Sequence, residues 1–152
     1  MGTDVNRDGG IDLAIALFGD EPKLLRDAHV LAASARATGY SAAVRQLSTT
    51  ITDDQFVDQL GALGAATTAV GVTPNTATRG LGAAQAAMTR RGRPVLLFGR
   101  HFAAERYRRE VPNEAATGVV VGPPSSVVLD FVRAINGRSG RQVAGLDRLD
   151  GD

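Results

Sequence analysis

Short apolar runs alternate with longer segments of helical period along this chain, and no other feature of the sequence limits the fold as strongly. The runs are rich in Val, Leu and Ile: Ile11–Phe18, Ala42–Leu47, Thr67–Val72, Pro94–Phe98 and Gly118–Val121. The first has no polar residue after Asp12, and the last two have none at all. Strands of this kind are buried on both faces and are typical of parallel sheets covered by helices. The second run carries Arg45 and Gln46, which favours an edge strand.

Helix signals fill the intervals between the apolar runs. The predicted helices are Pro22–Thr38, a helix from the N-cap Thr52 to Leu63, Ala77–Arg91, Phe102–Glu110 and Ser125–Asn136. Pro22 suits a first turn, and Gly39 is a natural stop. Gln55, three residues after Thr52, completes a capping-box pattern.

Five strand–helix units with short connections predict one α/β domain. Right-handed crossovers place the strands in a parallel sheet with helices on both faces. A buried first strand and an edge-like second strand favour the flavodoxin-like (Rossmann-like) order 2-1-3-4-5. We expect a flexible N-terminus at residues 1–10, the domain at 11–137 and a loose tail at 138–152, in which Val143–Leu146 could add one pairing.

Composition excludes several classes of chemistry. The 152 residues include no cysteine, which excludes disulfides, thiolate zinc sites, cysteine nucleophiles and iron–sulfur ligation by this chain. The 17 basic and 16 acidic side chains give a net charge of +1, so a nucleic-acid surface is not expected. The sequence contains neither an apolar run of roughly 18 residues nor a hydrophobic signal core, so we expect no membrane association and a cytoplasmic location.

The predicted fold selects the loops where a ligand would bind. In such sheets ligands lie beyond the carboxyl ends of the strands, at the switch point between strands one and three. The loops at that edge are Gly19–Pro22, Thr73–Thr76, Gly99–Phe102 and Gly122–Ser125. Their glycines would let the backbone approach a ligand closely, although glycine and proline also simply end strands.

Several standard sites are absent from these loops. The sequence has no Walker-type phosphate loop and no G-x-S-x-G elbow, and Gly80-Leu81-Gly82 lacks a third glycine and lies within a helix. Val72-Thr73-Pro74 has no carboxylate where a phospho-receiver needs one. Asp20 and Glu21 would repel a flavin phosphate after strand one.

For the two histidines and one arginine cluster, a functional role competes with that of an ordinary surface residue. Asp27-Ala28-His29 imitates the D-x-H-x-x-G signature of proteins that supply a histidine to cobalamin cobalt. It lies inside a helix, with Ala32 in place of the glycine, so a surface histidine is favoured. His101 follows strand four on the ligand side, as a solvated or a functional residue. Arg106–Arg109 forms either a solvated helix face or a docking surface.

Four longer stretches resemble the cobalamin (B12)-binding domain found at the N-terminus of B12-dependent radical SAM enzymes. They are LLRDAHVLAASARATGYSAAVRQL from Leu24, AVGVTPNTATRGL from Ala69, PVLLFGRHFA from Pro94 and GVVVGPPSSVVLDFVRAI from Gly118. The likeness runs from about Ile11 to Ile135. It implies a cobalamin cofactor without a histidine ligand from this chain, and no catalytic residue of its own. By position, it also implies cofactor contacts at Thr73, Asn75, Thr76, Gly99, His101, Gly122 and Ser125, the last beside the phosphate of the nucleotide tail.

The sequence departs from that family at several positions. Phe98 replaces the first glycine of a pair, where a benzyl group would fill the slot for the cofactor tail, Arg100 replaces a proline, and Pro123 and Pro124 replace a Glu-Gly pair. The cysteine motif of the radical SAM half is missing. We therefore expect a stand-alone, divergent B12-binding-like domain that acts as a cofactor-binding or accessory subunit for a separate radical SAM enzyme. The alternatives are a degenerate docking or regulatory module without cofactor, and a binder of flavin or nucleotide on the same fold; the oligomeric state is left open.

Overall fold

The computed structural model describes residues 10–99, 117–120, 128–130, 132 and 146–148. Strands and helices alternate along it, followed by two further strands. The elements are β1 (Leu13–Phe18), α1 (Pro22–Ala37), β2 (Ala42–Leu47), α2 (Asp53–Leu63), β3 (Thr67–Gly71), α3 (Ala77–Arg91), β4 (Val95–Phe98), β5 (Gly118–Val120) and β6 (Leu146–Arg148). Residues 128–130 and 132 are helical. The helix predicted at Phe102–Glu110 lies outside the described residues.

The strands form one sheet in the order β2-β1-β3-β4-β5-β6. The first five are parallel, which confirms the predicted order 2-1-3-4-5. β6 joins antiparallel to β5, with Gly118 opposite Arg148 and Val120 opposite Leu146. This sixth strand lies in the segment for which the sequence predicted a loose tail with one additional pairing. It has only three residues, two of which are charged, so the sequence contains no recognisable strand pattern there.

Alternate residues of the buried strands face two separate apolar layers. Leu13, Ile15 and Leu17 of β1 pack in the layer that holds α1 and the helical residues Val128, Leu129 and Val132. Their neighbours Ala14, Ala16 and Phe18 pack in the layer that holds α2 and α3. Because α1 and α3 leave β1 and β3 on opposite faces, a crevice opens between the carboxyl ends of these two strands.

β2 forms the edge of the sheet, as its polar residues predicted. Arg45 and Gln46 are exposed, and the strand is otherwise half-buried. Arg36 of α1 donates to the Ala42 carbonyl at 2.8 Å. The Arg45 guanidinium donates to the carbonyl of Val44 at 3.1 Å.

The helix ends follow the signals in the sequence. At α2, the Thr52 hydroxyl accepts from the Gln55 N–H at 3.1 Å, and the Gln55 side chain accepts from the Thr52 N–H at 3.0 Å, which is the predicted capping box. Gly64 and Gly92 end α2 and α3 in the left-handed conformation. None of the helices in the described ranges is long and apolar enough to cross a bilayer.

A buried carboxylate joins β1 to β2 at the amino ends of these two strands. Asp12 is 1% exposed, and its Oδ2 accepts from the Ser41 N–H at 2.8 Å and from the Ser41 hydroxyl at 3.3 Å. The Ser41 hydroxyl in turn accepts from the Asp12 N–H at 2.9 Å. A carboxylate is tolerated inside a protein when hydrogen bonds replace its water, and these bonds supply that replacement.

Candidate functional site

A crevice of about 540 Å³ lies at the carboxyl ends of β1 and β3, where the fold predicted a ligand site. The turn after β1 forms one wall, and the turn after β3 forms the other. Its described lining residues are Gly19, Asp20, Glu21, Pro22, Leu24, Val72, Thr73, Pro74, Asn75 and Thr76. Two carboxylates belong to this set, and none of its members is a lysine or arginine.

Glycine is required in the first wall. Gly19 has a φ of 101°, and a Cβ there would lie 3.3 Å from Cγ2 of Thr76 in the opposite wall. Its carbonyl accepts from Nε2 of Gln46 at 3.1 Å, and its N–H donates to the Leu47 carbonyl at 3.4 Å. The wall is therefore attached to the edge strand β2.

The N-terminus of α1, which begins in the same wall, carries its own anion. Oε1 of the N-cap Glu21 accepts from the Lys23 N–H at 3.1 Å, and Pro22 has no N–H to offer. The Leu25 N–H already donates to the Glu21 carbonyl at 3.0 Å. Free N–H groups at a helix N-terminus attract phosphate. Here the chain supplies a carboxylate instead, which makes the position unfavourable for a phosphate.

The second wall is a closed turn with uncharged polar side chains. The Thr76 hydroxyl accepts from the Thr73 N–H at 2.9 Å and lies 3.2 Å from the Thr73 hydroxyl. The Thr76 N–H donates to the Thr73 carbonyl at 3.1 Å. Both threonines are half-buried, and Asn75 is exposed. These groups are suited to hydrogen bonds with neutral polar ligands, because each hydroxyl both donates and accepts.

The structure brings three of the predicted site residues together. Thr73, Asn75 and Thr76 line the crevice side by side. Gly99 follows β4, is half-buried and is not among the lining residues. The other predicted positions, His101, Gly122 and Ser125, lie outside the described residues, as do Arg100, Pro123 and Pro124.

Two apolar residues form part of the crevice and were not predicted as site residues. Leu24 of α1 and Val72 after β3 both line it and are at most 3% exposed. Each also belongs to one of the two core layers. Their sequence pattern is that of ordinary core positions, so no local signal distinguishes them.

Phe98 lies in the core at the carboxyl end of β4. It is 0% exposed, in the layer that α1 covers. A Cβ built on Gly71, its partner in β3, would lie 2.7 Å from Cζ of Phe98 and 2.7 Å from Cδ2 of Leu17. The phenyl ring and the leucine therefore fill the space that a side chain at Gly71 would occupy.

Arg79 fixes the start of α3 against the start of α2. Its guanidinium donates to Oδ1 of Asp53 at 2.7 Å and to the Ile51 carbonyl at 2.5 Å. The same group lies 5.6 Å from the centroid of the Phe18 ring, within the range of a cation–π contact. The turn that carries Thr73 and Thr76 precedes this anchored end directly.

The arginines at the end of α3 are engaged within the domain. Arg90 forms an ion pair with Asp54 of α2. Arg91 donates to the Ala65 carbonyl at 2.9 Å, and burial together with the neighbouring Arg93 lowers the pKa of Arg91. The predicted cluster Arg106–Arg109 lies outside the described part of the chain. Arg90 and Arg91 thus serve packing contacts between elements.

Direct metal ligation finds no support among the described residues. They include no group of three or more His, Cys, Asp or Glu side chains that could hold a metal ion. His29 is exposed on α1, as expected for a surface histidine.

No protein-family model matches the sequence, and no curated protein resembles it significantly. Solved structures do match. The cobalamin-dependent S-adenosylmethionine radical enzyme OxsB, with aqua-cobalamin and S-adenosylmethionine bound, aligns with a TM-score of 0.65 at 10% identity over 93% of this chain. OxsB with aqua-cobalamin alone aligns with a TM-score of 0.63 at 11% identity. A CheY-like protein, TadZ of Pseudomonas aeruginosa PAO1, aligns with a TM-score of 0.60 at 13% identity over 87% of this chain and 99% of its own.

The chain shares its fold with these proteins. At such identities the likeness establishes the flavodoxin-like architecture and nothing finer. The aligned region is 21% of the OxsB chain, so this chain spans about a fifth of the length of that enzyme.

Proposed function

We propose that the crevice binds the edge of a corrinoid such as cobalamin, and that the chain is a cofactor-binding or accessory subunit for a separate radical SAM enzyme. The observation that carries the proposal is the chemistry of the crevice. It lies at the switch point of the sheet and presents the neutral polar side chains of Thr73, Asn75 and Thr76. The periphery of a corrin is a fringe of amides, which donate to and accept from such groups.

The described residues fit part of this cofactor. Leu24 and Val72 would offer apolar contacts to the macrocycle, while the threonine hydroxyls and the Asn75 amide would hold its amides. Gly19 has no side chain that would hold a ligand away from the backbone. A crevice of about 540 Å³ would take only part of the macrocycle.

A bound corrinoid supplies methyl-transfer chemistry at its cobalt. The role of this chain would be to hold and orient that cofactor. Radical SAM chemistry requires an iron–sulfur cluster held by cysteines, and this chain has none. The partner would therefore contribute the cysteines and the substrate site.

A titration with hydroxocobalamin tests the proposal. The protein should retain the corrinoid through gel filtration at tens of micromolar, with the visible spectrum of the cofactor in the protein peak. Asn75→Ala should weaken binding by about three- to tenfold, since it removes one hydrogen-bonding group that is exposed in the free crevice. Gln59→Ala, an exposed amide on α2, is the matched control and should bind normally. Absence of corrinoid from the protein peak would refute the proposal.

A cofactor-free docking or regulatory module is the second candidate. The buried Phe98 favours it, since the interior beside β4 is already filled. In that case a cysteine-rich radical SAM protein should co-purify equally well with and without added cobalamin, and no corrinoid should bind. A flavin or nucleotide ligand is disfavoured by the carboxylates of Asp20 and Glu21, and parallel titrations with FMN and ATP test this.

A further inference from the structure

The floor of the crevice is closed on both faces of the sheet. On the α1 side, the lining residue Leu24 shares its core layer with Leu17 and Phe98, which are 1% and 0% exposed. On the α3 side, Cγ1 of the lining residue Val72 lies only 2.1 Å from the position that a Cβ on Gly80 would take. The helix and the strand are thus in close contact directly below the crevice.

Below the crevice, Phe98 of β4 and Gly71 of β3 are paired, and the large side chain of one depends on the absence of a side chain on the other. The phenyl ring lies where a side chain on Gly71 would be, so even one methyl group would find no room there. The crevice volume of about 540 Å³ therefore does not extend into the layer between the sheet and α1. A flat group can rest on this floor, but a second ring system cannot pass between the sheet and the helix.

The charges at the mouth of the crevice disfavour an anionic extension of the ligand. Asp20 is exposed, and the Glu21 carboxylate occupies the N-terminus of α1. A phosphate about 4 Å from either carboxylate would bind at least about fivefold more weakly, even at the dielectric constant of bulk water. The nucleotide tail of cobalamin carries both a phosphate and an aromatic base.

From these observations we infer that the site recognises the corrin ring alone and leaves the nucleotide tail in solvent. The chain would then take corrinoids as a class, whatever their tail, and Phe98 would be the residue that sets this specificity. The inference rests on the proposed function, because it concerns how a corrinoid lies in the crevice.

A pair of uncharged ligands tests the inference directly. Cyanocobalamin and dicyanocobinamide both have no net charge. The second lacks the nucleotide tail and carries a second cyanide on cobalt in place of its base. Their dissociation constants for the unmodified protein should agree within about threefold, since a solvent-exposed tail adds no buried contact. Cyanocobalamin binding that is more than about tenfold tighter would overturn the inference while leaving the proposed function intact. Failure of both ligands to bind would overturn the two together.

Removal of the phenyl ring tests the role of Phe98. Phe98→Ala should open an apolar cavity of phenyl size, and benzene should raise the Tm of this variant but not that of the unmodified protein. In the same variant, the dissociation constant of cyanocobalamin should fall relative to that of dicyanocobinamide. Phe56→Ala is the matched control, because Phe56 is equally buried but lies in the other core layer. An equal shift in both variants would overturn the assignment of Phe98. If Phe98→Ala does not fold, Phe98→Leu takes its place in the comparison of the two dissociation constants.

Discussion

Gly80 offers a quantitative test of how closely α3 packs against β3. A glycine inside a helix normally costs about 1 kcal/mol relative to alanine, so Gly→Ala at an open position stabilises the protein by about that amount. Gly80 is not at an open position. A Cβ there would lie 2.1 Å from Cγ1 of Val72, a separation at which one of the two groups must move.

The magnitudes decide the sign of the effect. Overpacking of a well-packed core costs about 1–3 kcal/mol, and Val72 is β-branched, buried and unable to turn away freely. The helix-propensity gain of about 1 kcal/mol offsets only part of that cost. The 2.1 Å separation places the overpacking cost in the upper part of its range, at about 2–3 kcal/mol. We therefore expect Gly80→Ala to lower the free energy of unfolding by about 1–2 kcal/mol, or the Tm by about 2–8 °C.

Gly82, on the same helix, is the control. The nearest atom to a Cβ there is Nη1 of Arg79 at 3.8 Å, an ordinary contact, so Gly82→Ala should stabilise the protein. Urea denaturation followed by far-UV circular dichroism gives both free energies from the same transition. Val72→Ala should relieve the clash, because the Val72 Cβ lies 3.4 Å from the added methyl group, and the double variant should show favourable coupling. Equal stabilisation by Gly80→Ala and Gly82→Ala would refute this account of the α3–β3 contact.

Three other variants examine the edges of the sheet and the mouth of the crevice. Asp12→Ala should destabilise the protein by about 2 kcal/mol in urea denaturation, because Ser41 loses its acceptor; an unchanged midpoint would contradict this. Thr52→Ala should cost about 1 kcal/mol through loss of the α2 cap, against less than about 0.5 kcal/mol for the exposed Thr50→Ala. At low salt, Asp20→Asn should weaken binding of cationic aquacobalamin by up to about fivefold relative to uncharged cyanocobalamin, and an unaltered ratio would argue against a role for this charge.

The sequence predicted the architecture because its signals are local and repeated. Fully apolar runs indicate the buried strands, and Arg45 and Gln46 indicate the edge strand, so the order 2-1-3-4-5 follows from the standard handedness of the crossovers. This order also predicts that the turn with Thr73 and Thr76 lies beside the turn after β1, at the carboxyl ends of the strands. The additional pairing considered at Val143–Leu146 overlaps β6 only at Leu146, because the charged Asp147 and Arg148 give no strand signal.

The details of the crevice depend on contacts through space. The pattern of α1 allowed Pro22 in its first turn but did not indicate that Glu21 would cap the helix. Gly80 was noted only as part of an incomplete nucleotide motif, whereas its actual constraint is the side chain of Val72. Gly71 and Phe98 are partners in two strands that are distant in sequence. A single sequence does not indicate that the phenyl ring of one residue occupies the side-chain space of the other.

The attachment of Gly19 to β2 ties ligand binding to the least protected strand of the parallel sheet. Gln46 donates to the Gly19 carbonyl, and the Leu47 carbonyl accepts from the Gly19 N–H. Both belong to β2, which pairs on only one side among the strands that the structure describes. Local opening of a protein begins where backbone hydrogen bonds are most exposed to solvent. Each fraying of β2 would therefore release the wall of the crevice that Gly19 belongs to. The local stability of β2, which does not itself line the crevice, would then limit the fraction of molecules ready to bind a ligand.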